Sequence, residues 1–199
     1  IVIDEKSLDD TTTGVYKSIQ TGYANIYKTF ISSSEAIKLI NEKSLLLIVD
    51  CQYQYLLMNE KLFKKAKRVA IIDHHRRKPD AINNYQFLYI QPSASSTVEL
   101  VSEMFNYCGL EIEVLPIEAT WMLMGIFVDT NNFVYRTTSR TFNVLADLQA
   151  FGADMSKAQR FLRENFEEYV KRNAVLNKLE VIEGGYGIAV CDDEIYERS

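Results

Sequence analysis

The sequence predicts an α/β fold, a parallel sheet flanked by helices and followed by the start of a second α/β domain. Short runs of β-branched and apolar residues alternate with segments of helical period, the pattern of strands joined by crossover helices. Two of those runs, LLLIVD and VAIID, end in aspartate, and after a long polar stretch the chain returns to a strand-like pattern in LEVIEGGYGIAVCDD.

Taken in order, strands are expected at Ile1 to Asp4, Tyr27 to Ile31, Leu45 to Asp50, Val69 to Asp73 and Phe87 to Ile90. Helices are expected over 11–23 and over 32–43, the second opened by Ser32 and Glu35 spaced as a capping box. The chain then turns helical. One helix ends at Gly109, the next opens on Pro116 at its first position, and a third ends at Gly152, each boundary set by the residue type that favours it. Residues 155–179 read as two polar helices and 179–193 as a hairpin, so a domain boundary is expected near residues 165–180.

Composition sets limits. In 199 residues, 47% are hydrophobic and 25% charged, a globular balance with room for one full core. The net charge of −5 disfavours a surface built for long nucleic acid, since backbone binding needs a basic field. Positive charge is local, in KKAKR (64–68) and RRK (76–78). Cys51, Cys108 and Cys191 lie far apart and outside any CxxC spacing, so neither a disulfide framework nor a zinc knuckle is indicated, and a reducing compartment is expected. No apolar run approaches the ~18 residues of a membrane span.

The chemistry concentrates at VAIIDHHRRK. It holds both histidines of the chain, which random placement would make adjacent about 1% of the time. Ligands of open α/β sheets bind beyond the carboxyl ends of the strands, where Asp50, Asp73 and the two histidines would converge. A third acid, Asp129, ends the apolar segment MLMGIFVD. Carboxylates with imidazole suit divalent cations such as Mn²⁺, and without a thiolate set they point to metal-assisted hydrolysis. Blander readings stand beside this one. A strand-end Asp also serves as a turn or cap, arginines as a solvated face, Cys51 as a small inert residue, and Gly184–Gly185 as a turn.

IIDHHRR, with IVD upstream and MGIFVDTNNF downstream, resembles the DHH phosphoesterase superfamily, whose fold is Rossmann-like. PSASSTVELV and GIFVDTNNFVYRTTSRTFNVLADL make the catalytic region of the GdpP-type, GGDEF-domain-containing cyclic-di-AMP phosphodiesterases the nearest likeness. That resemblance implies a phosphoesterase domain over 1–165, a connector helix over 166–180 and the beginning of a DHH-associated substrate-binding domain over 181–199. It implies Asp50, His74 and Asp129 as metal ligands, and Asp73, His75 and Arg76 as catalytic groups that orient those ligands or meet phosphate. Arg76 and Arg77 would grip phosphate oxygens through planar forks. Ser95, Ser96 and Arg140 are further substrate-binding candidates, although the hydroxyls could instead cap the helix that begins there.

Two family elements have no match, the HxxxDxD-like first motif and the GGGH element of the associated domain. By the resemblance this piece would hold at most half of a dinuclear site. Glutamine in DCQYQ, where relatives often carry His or Arg, puts the substrate contacts of that loop in question. The implied reaction is hydrolysis of cyclic di-AMP to linear pApA by a hydroxide activated at two Mn²⁺ ions. The alternatives are an oligoribonuclease/pAp phosphatase and a non-catalytic nucleotide-binding piece, with a pyrophosphatase less favoured. The implied parent is anchored in the bacterial cell membrane with this region facing the cytoplasm, and the sequence leaves open whether two copies pair as a homodimer.

Overall fold

A computed structural model of the chain describes residues 1–105, 107–109, 111–163 and 166–191. The expectations for 164–165, within the boundary region, and for 192–199 lie outside them. By contact density the chain divides into two units, Ile1–Leu162 and Arg163–Ser199.

The first unit opens with α1 (Asp10–Gly22), started by the Asp9 side chain accepting from the Thr12 amide, and the short α2 (Ala24–Tyr27). α3 (Ser33–Leu39) carries the expected capping box of Ser32 and Glu35. The strands are β1 (Leu45–Val49), β2 (Arg68–Asp73) and β3 (Phe87–Ile90), with α4 (Glu60–Lys65) between the first two. They form a parallel sheet in the order β1-β2-β3, Leu45 opposite Arg68 and Asp73 opposite Ile90. Four helices follow: α5 (Thr97–Phe105), α6 (Pro116–Thr130), α7 (Ser139–Ala150) and α8 (Met155–Phe161).

The strand expected at 27–31 is corrected. Residues 24–27 are helical, and only one parallel bridge, Val2 to Ile31, remains of the two N-terminal strands. The segments bond to each other, Ile3 N to Ile31 O and Ile31 N to Ile1 O. The aromatic residues that suggested a strand pack around Tyr16 of α1 instead, Tyr27 and Phe30 with ring centroids 5.7 and 5.6 Å away. Pairing of side chains across a helix surface and pairing along a strand draw on the same residue types, and here tertiary contact decides.

β2 is the middle strand, and both of its faces are covered. Val69 and Ile71 pack with Ile48, Ala66 and Ile82 on one side, while Ile72 packs with Ala94 and Leu100 on the other. That is why VAIID is continuously apolar and not alternating. The second core gathers around α6, whose Ala119, Leu123, Met124, Ile126 and Phe127 meet Val144 and Leu148 of α7 and Ala158 of α8. α6 runs to Thr130. Its last turn therefore carries Asp129, and it stops at Asn131 in a left-handed conformation.

The second unit contains α9 (Phe166–Leu176) and an antiparallel hairpin of β4 (Leu179–Ile182) and β5 (Tyr186–Ala189). Gly184 and Gly185 turn it with φ of 95° and 80°, a region that disfavours any residue with a Cβ. No described helix is long and apolar enough to cross a membrane.

Gly125 of α6 faces α5 without room for a side chain: a Cβ there would stand 2.8 Å from Val98 Cγ2. Gly125→Val is expected to lower stability by about 2 kcal/mol or more through overpacking. The loss should appear in the urea midpoint at unchanged slope, and Val98→Ala in the same chain should recover part of it.

Candidate metal centre

Strand alternation sorts the groups at the end of β2. Asp73 continues the face of Val69 and Ile71, and His74 continues the face of Ile72. Asp73 is completely buried. A dry carboxylate is tolerated only when its oxygens accept hydrogen bonds, and here it accepts from the Gln52 amide (2.9 Å), the His75 backbone N–H (3.1 Å) and His75 Nδ1 (2.7 Å).

His74, 3% exposed at its side chain, turns the other way. Its Nδ1 lies 3.4 Å from the carbonyl of Ala94. A carbonyl only accepts, so Nδ1 carries a proton, and in the neutral imidazole Nε2 then presents a lone pair. That Nε2 is buried without a hydrogen-bond partner, facing Asp50 Oδ1 at 3.6 Å and Asp129 Oδ2 at 3.7 Å. Three electron-rich atoms turned toward one point repel unless a cation lies between them. Donors held about 2.0–2.2 Å from one ion stand roughly 3–3.5 Å apart, slightly closer than Nε2 stands to either carboxylate. The donor atoms of Asp50, His74 and His75 all lie within 4.8 Å of one another, a group that suits a divalent cation, and Asp129 adjoins it through His74.

Asp50 leaves β1 with φ of 59°, which turns its carboxylate back over the strand end, and Thr97 Oγ1 donates to it at 2.6 Å. His75, stacked edge-on to His74 with ring centroids 4.4 Å apart, completes a group of donors within 4.8 Å of one another together with Asp50 and His74. Burial first, and then the facing charge of Asp50, hold the Asp129 carboxyl above the usual carboxylate range. Cys51 lies beside the cluster, but burial pushes its thiol up, so it stays protonated.

The structure brings together Asp50, Asp73, His74, His75 and Asp129. Arg76 follows directly, exposed and with no guanidinium partner among the described residues. The other four candidates are engaged elsewhere. Arg77 donates to Gln52, to the Ile82 carbonyl and to Asn83 Oδ1, and lies over the Tyr85 ring. Arg140 pairs with Glu103 and approaches Glu99 at 3.9 Å. Ser95 donates its hydroxyl and amide to the buried Glu99, and Ser96 Oγ accepts the Glu99 amide, so both hydroxyls close the start of α5.

Two participants were not singled out from sequence. Thr97 sits one residue past the serine pair, and only the fold reveals which hydroxyl faces Asp50. Gln52, fully buried, bonds Asp73 Oδ2 and the His75 carbonyl, each at 2.9 Å, and ties the loop after β1 to the loop after β2.

A carboxylate–imidazole cation site at the carboxyl edge of a parallel α/β sheet defines the class. Within that class the chain belongs to the DHH family, whose N-terminal domain matches residues 11–126. It is 40% identical over 172 residues to the cyclic-di-AMP phosphodiesterase PdeA of Listeria monocytogenes, covering 86% of this chain and 26% of that protein. Against GdpP of Bacillus subtilis, also a cyclic-di-AMP phosphodiesterase, the identity is 37% over 189 residues, 95% of this chain and 28% of the relative. A membrane protein–ribosomal subunit bL9 fusion of onion yellows phytoplasma is 34% identical over 198 residues, 100% of this chain and 23% of the relative. The chain thus spans about a quarter of the length of these curated relatives. Among solved structures, an exopolyphosphatase-related protein of Bacteroides fragilis superposes with a TM-score of 0.68 at 21% identity, over 81% of this chain and 49% of that one, which establishes the shared fold.

Because the folded-state pKa of Asp129 is raised, its ionisation opposes folding. Metal-free stability should fall as pH rises from the ordinary carboxylate range through the raised value. Asp129→Asn should remove that component and melt above wild type at neutral pH without metal, whereas added Mn²⁺ should raise the melting temperature of wild type only. Thermal melts at acid and neutral pH with and without Mn²⁺ decide it, and an equal Mn²⁺ response in both proteins would remove Asp129 from the site. Thr97→Val, which leaves Asp50 unanchored, should weaken Mn²⁺ binding by about 10–100-fold in a calorimetric titration.

Proposed function

We propose that this region is the catalytic part of a metal-dependent phosphodiesterase that hydrolyses cyclic di-AMP to linear pApA. The observation that carries the reading is the buried, unpartnered Nε2 of His74 between Asp50 and Asp129. The named activity of the Listeria and Bacillus relatives supplies the substrate. Asp50, His74 and Asp129 would hold the ion, with Mn²⁺ favoured by a carboxylate–imidazole set and two ions in the whole site. Such ions, when bound, supply a nucleophilic water at neutral pH and offset charge on a phosphate.

The chain's own groups do the positioning. Ala94 and Thr97 fix the donor atoms of His74 and Asp50 before any ligand arrives, so no reorganisation is needed at that moment. Asp73 holds the imidazole of His75 in place over the cluster. Arg76, exposed and unpaired, meets a non-bridging phosphate oxygen and stabilises the charge that grows there. The second unit is the beginning of a substrate-binding domain, joined by α9. The membrane-protein name of the phytoplasma relative supports a membrane-anchored whole protein with this region on the cytoplasmic side.

A second reading has its own support. The bifunctional oligoribonuclease and PAP phosphatase NrnA of Mycoplasma genitalium is 32% identical over 117 residues, 57% of this chain and 36% of that protein. Product chromatography of the full-length protein with Mn²⁺ separates the two. The expected result is pApA from cyclic di-AMP, reduced at least about 100-fold in His74→Ala. Cleavage of pAp or short RNA with cyclic di-AMP left intact would establish the second reading instead.

A further inference from the structure

Among the described residues, the non-glycine residues at positive φ are Asp50 and, within seven residues of Asp129 along the chain, Asn131, Asn132, Phe133 and Arg136 with φ of 47°, 56°, 66° and 57°. Asparagine tolerates that region, but phenylalanine and arginine do so only under constraint. The constraint is visible. Thr130 Oγ1 accepts the Phe133 amide at 2.9 Å and its carbonyl accepts the Tyr135 amide at 2.8 Å, while the Phe133 ring is pinned against Phe127 and Phe142.

What the strained turn presents is Arg136. Its guanidinium is exposed and reaches across to the loop after β3, where it donates to the Pro92 carbonyl at a long 3.4 Å. That loop also supplies the Ala94 carbonyl on His74 and leads into Thr97 on Asp50. The charge of Arg136 is felt at Asp129. A guanidinium anchored by one long bond keeps most of its five donors free, unlike Arg140 and Arg77, which are engaged in ion pairs or several hydrogen bonds.

We infer that Arg136 is a specificity residue that receives the second, non-reacting phosphate of a two-phosphate substrate. The inference rests on the phosphodiesterase reading and adds to it. Arg76 stands directly after the histidines and serves the phosphate at the cluster. Arg136 comes from a different loop on the far side of Asp129 in the chain, and a ligand with one phosphate has nothing to place there. A cyclic dinucleotide and a nucleoside bisphosphate do.

The test compares wild type, Arg136→Ala, Arg136→Lys and Arg76→Ala in the full-length protein with Mn²⁺. The substrates are cyclic di-AMP and bis(p-nitrophenyl) phosphate, which has a single phosphate. A charge-assisted hydrogen bond corresponds to about 10–100-fold in binding. Arg136→Ala should therefore raise KM for cyclic di-AMP by about that factor with kcat within about threefold, and leave the single-phosphate ester unchanged within about twofold. Arg136→Lys should recover only part, because the planar fork is lost, and Arg76→Ala should impair both substrates. Equal loss on both substrates, or loss of Mn²⁺ affinity in Arg136→Ala, would overturn the inference by showing that Arg136 acts through Asp129. No change on either substrate would also overturn it. If wild type leaves cyclic di-AMP intact, the proposed function falls and binding decides the role of Arg136. With Ca²⁺ in place of Mn²⁺, a tenfold loss of affinity confined to pAp, with AMP unaffected, sustains the inference, and parallel or absent losses refute it.

Discussion

The centre depends on the burial of one carboxylate. Asp73 has no contact with water, so its charge has to be met by donors fixed in space, and those donors come from both loops at the sheet's carboxyl edge. Removing a partner from such a group leaves an unmet buried charge, an expensive state. The loops after β1 and β2 are therefore locked to each other before any ligand binds. Parallel pairing supplies the alignment: the Asp50 amide donates to the Ile72 carbonyl at 2.9 Å, which sets the first acid beside the strand end that carries the histidines.

On that frame the protein carries groups that oppose folding. Nε2 of His74 is buried between the carboxylates of Asp50 and Asp129, burial holds the Asp129 carboxyl above the usual carboxylate range, and five residues sit in left-handed backbone. Departures of this kind concentrate where function constrains the chain, and surrounding packing has to over-determine them. The packing here is α6. Its apolar body fills the second core, and its last turn, rigid for that reason, delivers Asp129 to the cluster.

Much of this was legible in the sequence, and the boundary of legibility has physical causes. Strand β2 announced itself because a parallel strand buried on both faces is apolar without alternation, β1 and β3 as short apolar runs beside it, and the aspartates after β1 and at the end of β2 marked the edge where ligands of such sheets bind. The N-terminal strands shrank to a single bridge between Val2 and Ile31, and in the second of them Tyr27 and Phe30 pack against Tyr16 of α1. Asp50, His74 and Asp129, singled out by residue type, order and the family likeness, stand together in the structure. The serine hydroxyls and Arg140 were not separable from capping and pairing, since Glu99 and Glu103, which claim them, look like surface acids in a linear reading. Thr97 went unnoticed, and DCQYQ stood out only as a departure from the family, because nothing in a sequence says which polar side chain will be enclosed.

The run from Asp73 to Arg77 also explains why two histidines and two arginines stand side by side. The doublets are not duplicates, because their members are held by different partners. Asp73, His75 and Arg77 all meet Gln52, the first through its carboxylate, the second through its carbonyl and the third through its guanidinium. His74 and Arg76 do not: Nε2 of His74 is buried without a hydrogen-bond partner and Arg76 is exposed. His75 serves both sides, since Asp73 holds its ring where it borders the cation cluster.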